Sequence, residues 1–228
     1  MKKVIKSRSE LASAIAGEAL GVIRESIASN GSCRLVLTGG GLGMEVLAAL
    51  SAFPIDWPKV TTLFSDERFV GVTHPDRNEF QALERLPQLL DAKWLRYPDT
   101  SSDLESSADL FSNELERVFG TLDSSEPSFD LVLLGMGPDG HVASLFPGRH
   151  HAKQWIVTED SSAKPPSMRL SLSYQALCRA QRVWFLVAGR DKADATASAM
   201  KNSDLPAGRV RGMSETIWWI DQELSDEL

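Results

Sequence analysis

Cysteine is scarce in this sequence, and long apolar runs are missing. Cys33 and Cys178 are the only cysteines among 228 residues. Both lie in apolar surroundings far apart in the chain, which predicts buried free thiols rather than a disulfide. No segment approaches the roughly 18 apolar residues of a membrane-spanning helix, and no apolar signal-peptide region follows Lys6. The sequence therefore predicts a cytoplasmic protein without a membrane partner.

Positive charge is also in deficit. Lysine and arginine total 24 against 31 aspartates and glutamates, which gives a formal net charge of −7. A field of this sign repels polyanions, so nucleic acid is not expected as a partner. An anionic small molecule is compatible with this charge only where cations gather at one pocket. Hydrophobic residues at 43% and charged residues at 24% are typical of a folded globular protein.

Strand and helix signals alternate along the chain. A capping box at Ser7 and Glu10 begins an amphipathic helix that ends at Asn30. Further helices are predicted over 44–50, 78–86, 104–118 and 191–200, and strands over 34–38, 60–64, 129–134, 168–173 and 183–188. This alternation predicts a single α/β domain over residues 1–228, with a mostly parallel sheet and helices on both faces. Its ligand site is expected beyond the carboxyl ends of the strands.

Two polar segments are expected to lie outside this framework. Residues 160–167, which contain two consecutive prolines, predict an exposed loop. Residues 221–228 are acidic and predict a solvated tail.

Glycine dominates the turn between the first long strand and its helix. Residues 38–43 read TGGGLG, and unhindered backbone here can turn the N–H groups around Thr38, Gly39, Gly40 and Gly41 toward a phosphate at a helix N-terminus. The dinucleotide-binding fingerprint fails, because a methionine stands where its last glycine belongs, and the P-loop lysine is missing. The alternative interpretation is a tight turn without a ligand.

Charged residues follow the next strand. Asp66, Glu67 and Arg68 are expected at the same edge of the sheet as the glycine turn. Arg68 is suited to clamp a phosphate or carboxylate, and Asp66 to accept a proton or bind a hydroxyl. A solvated turn with a surface ion pair is the competing interpretation.

The most informative stretch is residues 129–148, which read FDLVLLGMGPDGHVASLFPG. A buried strand ends in a glycine-rich turn, and His141 leads a predicted short helix. The ordinary pKa of histidine, about 6.5, suits a general base near neutral pH, and Asp139 is close enough in sequence to orient the ring or bind substrate. The adjacent pair His150 and His151 is interpreted as loop rather than metal ligands, and His74 receives no role.

Two further cations are expected at the strand ends. Arg169 lies in the predicted strand over 168–173, and Lys192 follows Gly189 at the start of the last predicted helix. Together with Arg68, they would supply the local positive charge that a protein of net charge −7 needs to hold a phosphorylated ligand.

These motifs together resemble one known family. The glycine turn, the Asp-Glu-Arg triplet with the downstream HPDRN of residues 74–78, the GMGPDGHVASLFPG block, Arg169 and the GRDKA turn of residues 189–193 resemble 6-phosphogluconolactonases. The wider group includes glucosamine-6-phosphate isomerase/deaminases. The resemblance implies a Rossmann-like α/β domain that hydrolyses 6-phospho-D-glucono-1,5-lactone, the second step of the oxidative pentose phosphate pathway, without a metal or cofactor. A monomer or weak homo-oligomer is expected.

The resemblance also implies roles for individual residues. It assigns phosphate binding to the turn of residues 38–41 together with Arg169 and Lys192, substrate contacts to Asp66 and Arg68, and the base to His141. Two positions depart from the family pattern. Gly41 stands where family members often carry a hydroxyl side chain, and Arg77 stands where a serine is frequent, which leaves the role of Asn78 open.

Three other functions compete with the lactonase interpretation. A glucosamine-6-phosphate isomerase or deaminase would carry a glutamate five positions after the histidine, where this chain has Phe146. A sugar-phosphate sensor would keep the glycine turn and the cations but would need no base such as His141. A nucleotide-binding oxidoreductase would use Asp66 on a ribose, but the glycine fingerprint fails.

Overall fold

Seven parallel strands form the central sheet of the computed structural model, which describes residues 1–5, 7–149, 152–201 and 204–228. In chain order these strands are β1 (Lys2–Ile5), β2 (Cys33–Leu37), β3 (Val60–Phe64), β5 (Lys93–Trp94), β6 (Phe129–Gly135), β9 (Ala180–Val187) and β10 (Glu215–Asp221). Their order across the sheet is β1-β10-β9-β6-β2-β3-β5, and every neighbouring pair is parallel. The mostly parallel sheet predicted from the sequence is confirmed.

Helices lie between these strands, and one short helix follows β10. They are α1 (Arg8–Asn30), α2 (Gly40–Leu50), α3 (Asn78–Arg85), α4 (Leu104–Phe119), α5 (Tyr174–Leu177), α6 (Ala193–Met200), α7 (Pro206–Arg209) and α8 (Gln222–Ser225). After β2, the chain adds β3 and then β5 at one edge of the sheet. It then reverses direction and adds β6, β9 and β10 on the other side of β2. Because parallel crossovers are right-handed, the reversal places α1 to α3 on one face and α4 and α6 on the other. None of the described helices is long and apolar enough to cross a membrane.

The reversal of direction creates a crevice between two neighbouring strands. Strands β2 and β6 lie side by side, but the chain leaves β2 toward one edge of the sheet and leaves β6 toward the other. Ligands of open α/β sheets bind at such a point, outside the carboxyl ends of the strands. The glycine turn after β2 and the histidine-containing turn after β6 therefore face one crevice.

A second, antiparallel sheet lies next to this edge. It consists of β4 (Asp66–Arg68), β7 (Ile156–Glu159) and β8 (Arg169–Leu172), in the order β4-β8-β7. Ser65 alone separates β4 from the end of β3, and its N–H donates to the carbonyl of Leu37 in the central sheet at 2.7 Å. The small sheet therefore carries its charged residues to the carboxyl edge of the large one.

Several predictions about the chain ends and the thiols need correction. Asp221 is buried at the end of β10, and its carboxylate accepts from Leu224 N–H at 3.0 Å and from Gly189 N–H at 3.2 Å. Leu224 is fully buried, so these two residues anchor the acidic ending to the fold, whereas most of its other residues are exposed as a solvated tail would be. Cys33 is buried as predicted, whereas Cys178 is only half-buried; both are free.

Candidate active site

A cleft of about 520 Å³ lies at the carboxyl edges of the strands. All ten residues predicted for the site line it, namely Thr38, Gly39, Gly40, Gly41, Asp66, Arg68, Asp139, His141, Arg169 and Lys192. Sequence reasoning missed other lining residues, among them Lys164 and Asp191. His74 is exposed and does not line the cleft, and the prediction for His150 and His151 falls outside the described residues. No three described His, Cys, Asp or Glu side chains cluster as metal ligands.

An imidazole–carboxylate pair lines the cleft. His141 Nδ1 lies 2.5 Å from Asp139 Oδ1, and the His141 backbone N–H donates to the same oxygen at 3.2 Å. Burial alone would raise the pKa of Asp139, but the charge and hydrogen bonds of His141 outweigh it and lower that pKa. An ionised Asp139 that holds Nδ1–H leaves Nε2 of His141 as the basic nitrogen.

A compact turn holds this pair in place. The Gly137 N–H donates to the carbonyl of His141 at 3.0 Å, and Val142 bridges to Met136 and Leu145. The predicted short helix after His141 is therefore wrong, because these bridges fold the backbone into a tight turn. A Cβ on Gly137 would lie 2.1 Å from His141 Cε1 and 2.7 Å from Asp139 Oδ1, so only glycine leaves room for the pair.

The glycine turn also lines the cleft. Thr38 Oγ1 accepts from Gly135 N–H at 3.1 Å and so ties the end of β2 to the end of β6. Gly40 has a φ of +79°, which favours glycine. No side chain caps the N-terminus of α2, and its first turn holds no acidic residue. Its free N–H groups and the positive end of the helix dipole suit an anion such as phosphate.

Asp66 and the cations Arg169 and Lys192 also line the cleft. Asp66 is 6% exposed, accepts from Ser144 Oγ at 2.6 Å and lies 3.9 Å from Arg169 Nη1. Arg169 also donates to the carbonyl of Lys164 at 2.8 Å, which fixes the largely exposed loop over residues 160–167 at the cleft rim. Burial lowers the pKa of Lys192; the carboxylates of Asp191 and Asp221 raise it in part, and the charges of Arg8 and Lys164 lower it.

Comparison with known proteins identifies the family. The sequence profile of glucosamine-6-phosphate isomerases/6-phosphogluconolactonase matches residues 6–219. The chain belongs to this family. A 6-phosphogluconolactonase from Streptomyces coelicolor is 36% identical, over 99% of this chain and 93% of the relative.

Solved structures of the family share the fold. A 6-phosphogluconolactonase from Thermotoga maritima superposes with a TM-score of 0.86 at 25% identity, over 97% of this chain and 99% of that one. A glucosamine-6-phosphate deaminase superposes with a TM-score of 0.83 at 20% identity, over 100% of this chain and 99% of that one. Because one fold hosts both kinds of named enzyme, the side chains of the site must decide between them.

Arg77, which departs from the family pattern, belongs to the protein interior. Its side chain is fully buried and does not line the cleft; it donates to Glu79 Oε2 at 3.0 Å and to the carbonyl of Val70 at 2.9 Å. The neighbouring Asn78 does line the cleft, and its Nδ2 donates to the carbonyl of Asp66 at 2.9 Å. The arginine therefore leaves Asn78 in place at the site.

Glu67 binds the start of α3, and its buried carboxyl group is expected to make the stability of the protein depend on pH. It accepts from the backbone N–H groups of Asn78 at 2.7 Å and Glu79 at 2.8 Å. Burial, and then the charge of Glu79, raise the pKa of Glu67 from 4.5 to about 8. Between pH 4.5 and about 8, Glu67 holds a proton in the folded state but loses it in the unfolded chain. The contribution of Glu67 to the free energy of unfolding therefore falls as pH rises. Urea unfolding at pH 5.5 and 8.0 should show a weaker pH dependence in Glu67→Gln than in wild type.

Glu84→Gln is the control, because Glu84 is an exposed glutamate of α3, the helix whose first N–H groups donate to Glu67. Its pH dependence should equal that of the wild type. If Glu67→Gln also retains the wild-type dependence, Glu67 does not titrate in this window.

Proposed function

We propose that this chain hydrolyses 6-phospho-D-glucono-1,5-lactone to 6-phosphogluconate, the second step of the oxidative pentose phosphate pathway, and needs neither metal nor cofactor. The observation that carries the proposal is the His141–Asp139 pair at 2.5 Å in a cleft that is also lined by the uncapped N-terminus of α2 and by Lys192. Hydrolysis of a phosphorylated ester requires a general base and an anion-binding group in the same cleft.

The proposed reaction uses His141 first as a base and then as an acid. Nε2 takes a proton from a water molecule as the water oxygen bonds to the lactone C1, while Asp139 stabilises the resulting imidazolium. A tetrahedral oxyanion forms at C1, and Arg68 is the proposed donor to it. When the bond from C1 to the ring oxygen breaks, the imidazolium gives its proton to that oxygen, and the new carboxylic acid loses its own proton to solvent.

Phosphate binding positions C1 beside His141. The N–H groups of the α2 N-terminus, Arg169 and Lys192 are proposed to hold the phosphate, so that remote binding energy orients the reacting carbon. Arg169 contributes a guanidinium that is held in place by its hydrogen bond to the carbonyl of Lys164. Lys192 contributes a point charge.

Removal of Lys192 is expected to weaken substrate binding rather than chemistry. A charged hydrogen bond to phosphate contributes about 1.5–3 kcal/mol, so Lys192→Ala should raise KM roughly 10- to 100-fold and leave kcat within about threefold. Steady-state kinetics on the lactone measure both constants. Lys201→Ala is the control, because Lys201 is an exposed lysine just after α6, the helix that Lys192 precedes. A loss of kcat in Lys192→Ala without a change in KM would contradict the phosphate role.

A glucosamine-6-phosphate deaminase is the second candidate, and Phe146 disfavours it. The Phe146 ring lies 4.7 Å from the His141 ring, so an apolar side chain packs where further acid–base chemistry would need an ionisable group. A sensor without catalysis would have no use for a base oriented by a carboxylate. Cytoplasmic location and the monomeric or weakly oligomeric state stay predictions from the sequence.

The decisive experiment follows the decay of freshly generated 6-phosphogluconolactone with and without the protein, beside an incubation with glucosamine 6-phosphate assayed for ammonia. Lactone loss above the spontaneous rate, with no ammonia, is the expected result. Ammonia release without lactone hydrolysis would favour the deaminase. Binding of both compounds without turnover would favour the sensor.

A further inference from the structure

Arg8 places an unassigned guanidinium next to the glycine turn. It is the first residue of α1, and its Nη2 lies 2.5 Å from the position that a Cβ on Gly41 would take. Any larger residue at position 41 would displace this guanidinium. Arg8 does not itself line the cleft, but Gly41 does, so the third glycine of the turn allows a side chain from another helix to lie next to a lining residue.

Besides its partner Glu45, Arg8 has a helix N-terminus and a second cation nearby. The positive end of the α2 dipole lies here, with no acidic residue in the first turn of that helix, and a cation at a helix N-terminus is destabilising. Lys192 lines the cleft, and the charge of Arg8 lowers its pKa, whereas the carboxylates of Asp191 and Asp221 raise it. Two cations and a helix N-terminus therefore converge on one region, and a dianion between them would relieve the repulsion.

Glu45 is the partner of Arg8 when no ligand is bound. Its carboxylate accepts from Arg8 Nε at 3.0 Å and pairs with Nη2 at 2.9 Å. Within the described part of the chain, no protein group accepts from Arg8 Nη1. The Arg8 side chain is 49% exposed, so the guanidinium is able to exchange or share its partner with a ligand at the turn.

We propose that Arg8 is a further phosphate-binding residue, which donates across Gly41 to the phosphate held by the glycine turn and Lys192. This inference rests on the proposed function, whose substrate supplies the phosphate. It assigns Arg8 to binding and specificity and leaves the chemistry to His141. The ligand class it selects is a phosphate monoester dianion, since a guanidinium fork pairs with two oxygens of such a group.

The test compares Arg8→Gln, Glu45→Gln and Arg182→Gln with the wild type. Calorimetric Kd values are measured for 6-phosphogluconate and for inorganic phosphate, and kcat and KM for the lactone. Arg8→Gln should weaken both ligands roughly tenfold and raise KM to match, with kcat nearly unchanged. Arg182 also pairs with a glutamate, Glu25, at 2.8 Å but lies near the amino end of β9, so its variant should bind like the wild type.

Glu45→Gln separates phosphate binding from the ion pair. If Arg8 binds phosphate, this variant should bind at least as tightly as the wild type, because the competing carboxylate is gone. An equal loss in both variants would mean that only the ion pair matters, and unchanged binding in Arg8→Gln would also overturn the proposal. If the wild type does not hydrolyse the lactone, the proposed function fails, whereas the inorganic phosphate measurement still decides the role of Arg8.

Discussion

Replacement of His141 by alanine should reduce kcat for 6-phosphogluconolactone by about 10²- to 10⁴-fold, since a positioned general base contributes about that much. KM should change little, because the proposed phosphate-binding groups, at the α2 N-terminus, Arg169 and Lys192, belong to other elements. The expected loss follows from the Asp139 contact at 2.5 Å, which holds the ring in one orientation with Nε2 available. Progress curves on fresh lactone, corrected for spontaneous hydrolysis, measure the effect.

His74→Ala is the matched control for this variant. His74 is an exposed histidine outside the cleft, so its loss should leave turnover at the wild-type level. Near-normal turnover in His141→Ala would remove His141 from the mechanism and leave water activation to another group.

Gly137→Ala should be almost as damaging, although it adds only one methyl group. The new Cβ would lie 2.1 Å from His141 Cε1, 2.2 Å from His141 Nδ1 and 2.7 Å from Asp139 Oδ1. The methyl group cannot be accommodated unless the pair moves, and a displacement of about 1 Å from the reacting geometry costs about 10²-fold in rate. We expect kcat to fall by about 10²-fold or more while the Kd for inorganic phosphate stays at the wild-type value.

Gly71→Ala tests whether the damage comes from the contact rather than from a lost glycine. No heavy atom outside its chain neighbours lies within 4 Å of a Cβ on Gly71, so this variant should keep full activity. Wild-type kcat in Gly137→Ala would show that the turn relaxes without moving the catalytic pair, and would weaken the orientation argument for Asp139.

The sequence predicted those parts of the fold and site whose signals are local. Strand β6 ends within one residue of the predicted boundary, because a continuous apolar run followed by glycine specifies both the strand and its end. The glycine and histidine turns each follow a strand that was predicted, so their meeting at one edge followed from the topology of parallel sheets.

Contacts between distant segments could not be predicted in this way. The placement of Arg8 against Gly41 depends on how α1 packs beside α2, and the capping of α3 by Glu67 depends on where β4 ends. Strand β10 was not predicted, although Trp218 and Trp219 lie in a short apolar run just before the acidic ending. The edge strand β1 was missed as well, because Lys2 and Lys3 give it little apolar character.

The position of β10 within the sheet has a consequence for how the protein forms during synthesis. Among the strands of this sheet, β1 is made first and β10 last, yet the two are neighbours, and Lys2 pairs with Trp218. Until β10 emerges, β1 has no strand to pair with and β9 presents an open edge, and such edges promote aggregation. The slowest part of assembly should therefore be the insertion of β10 between β9 and β1, a step that closes nearly the whole chain into a loop.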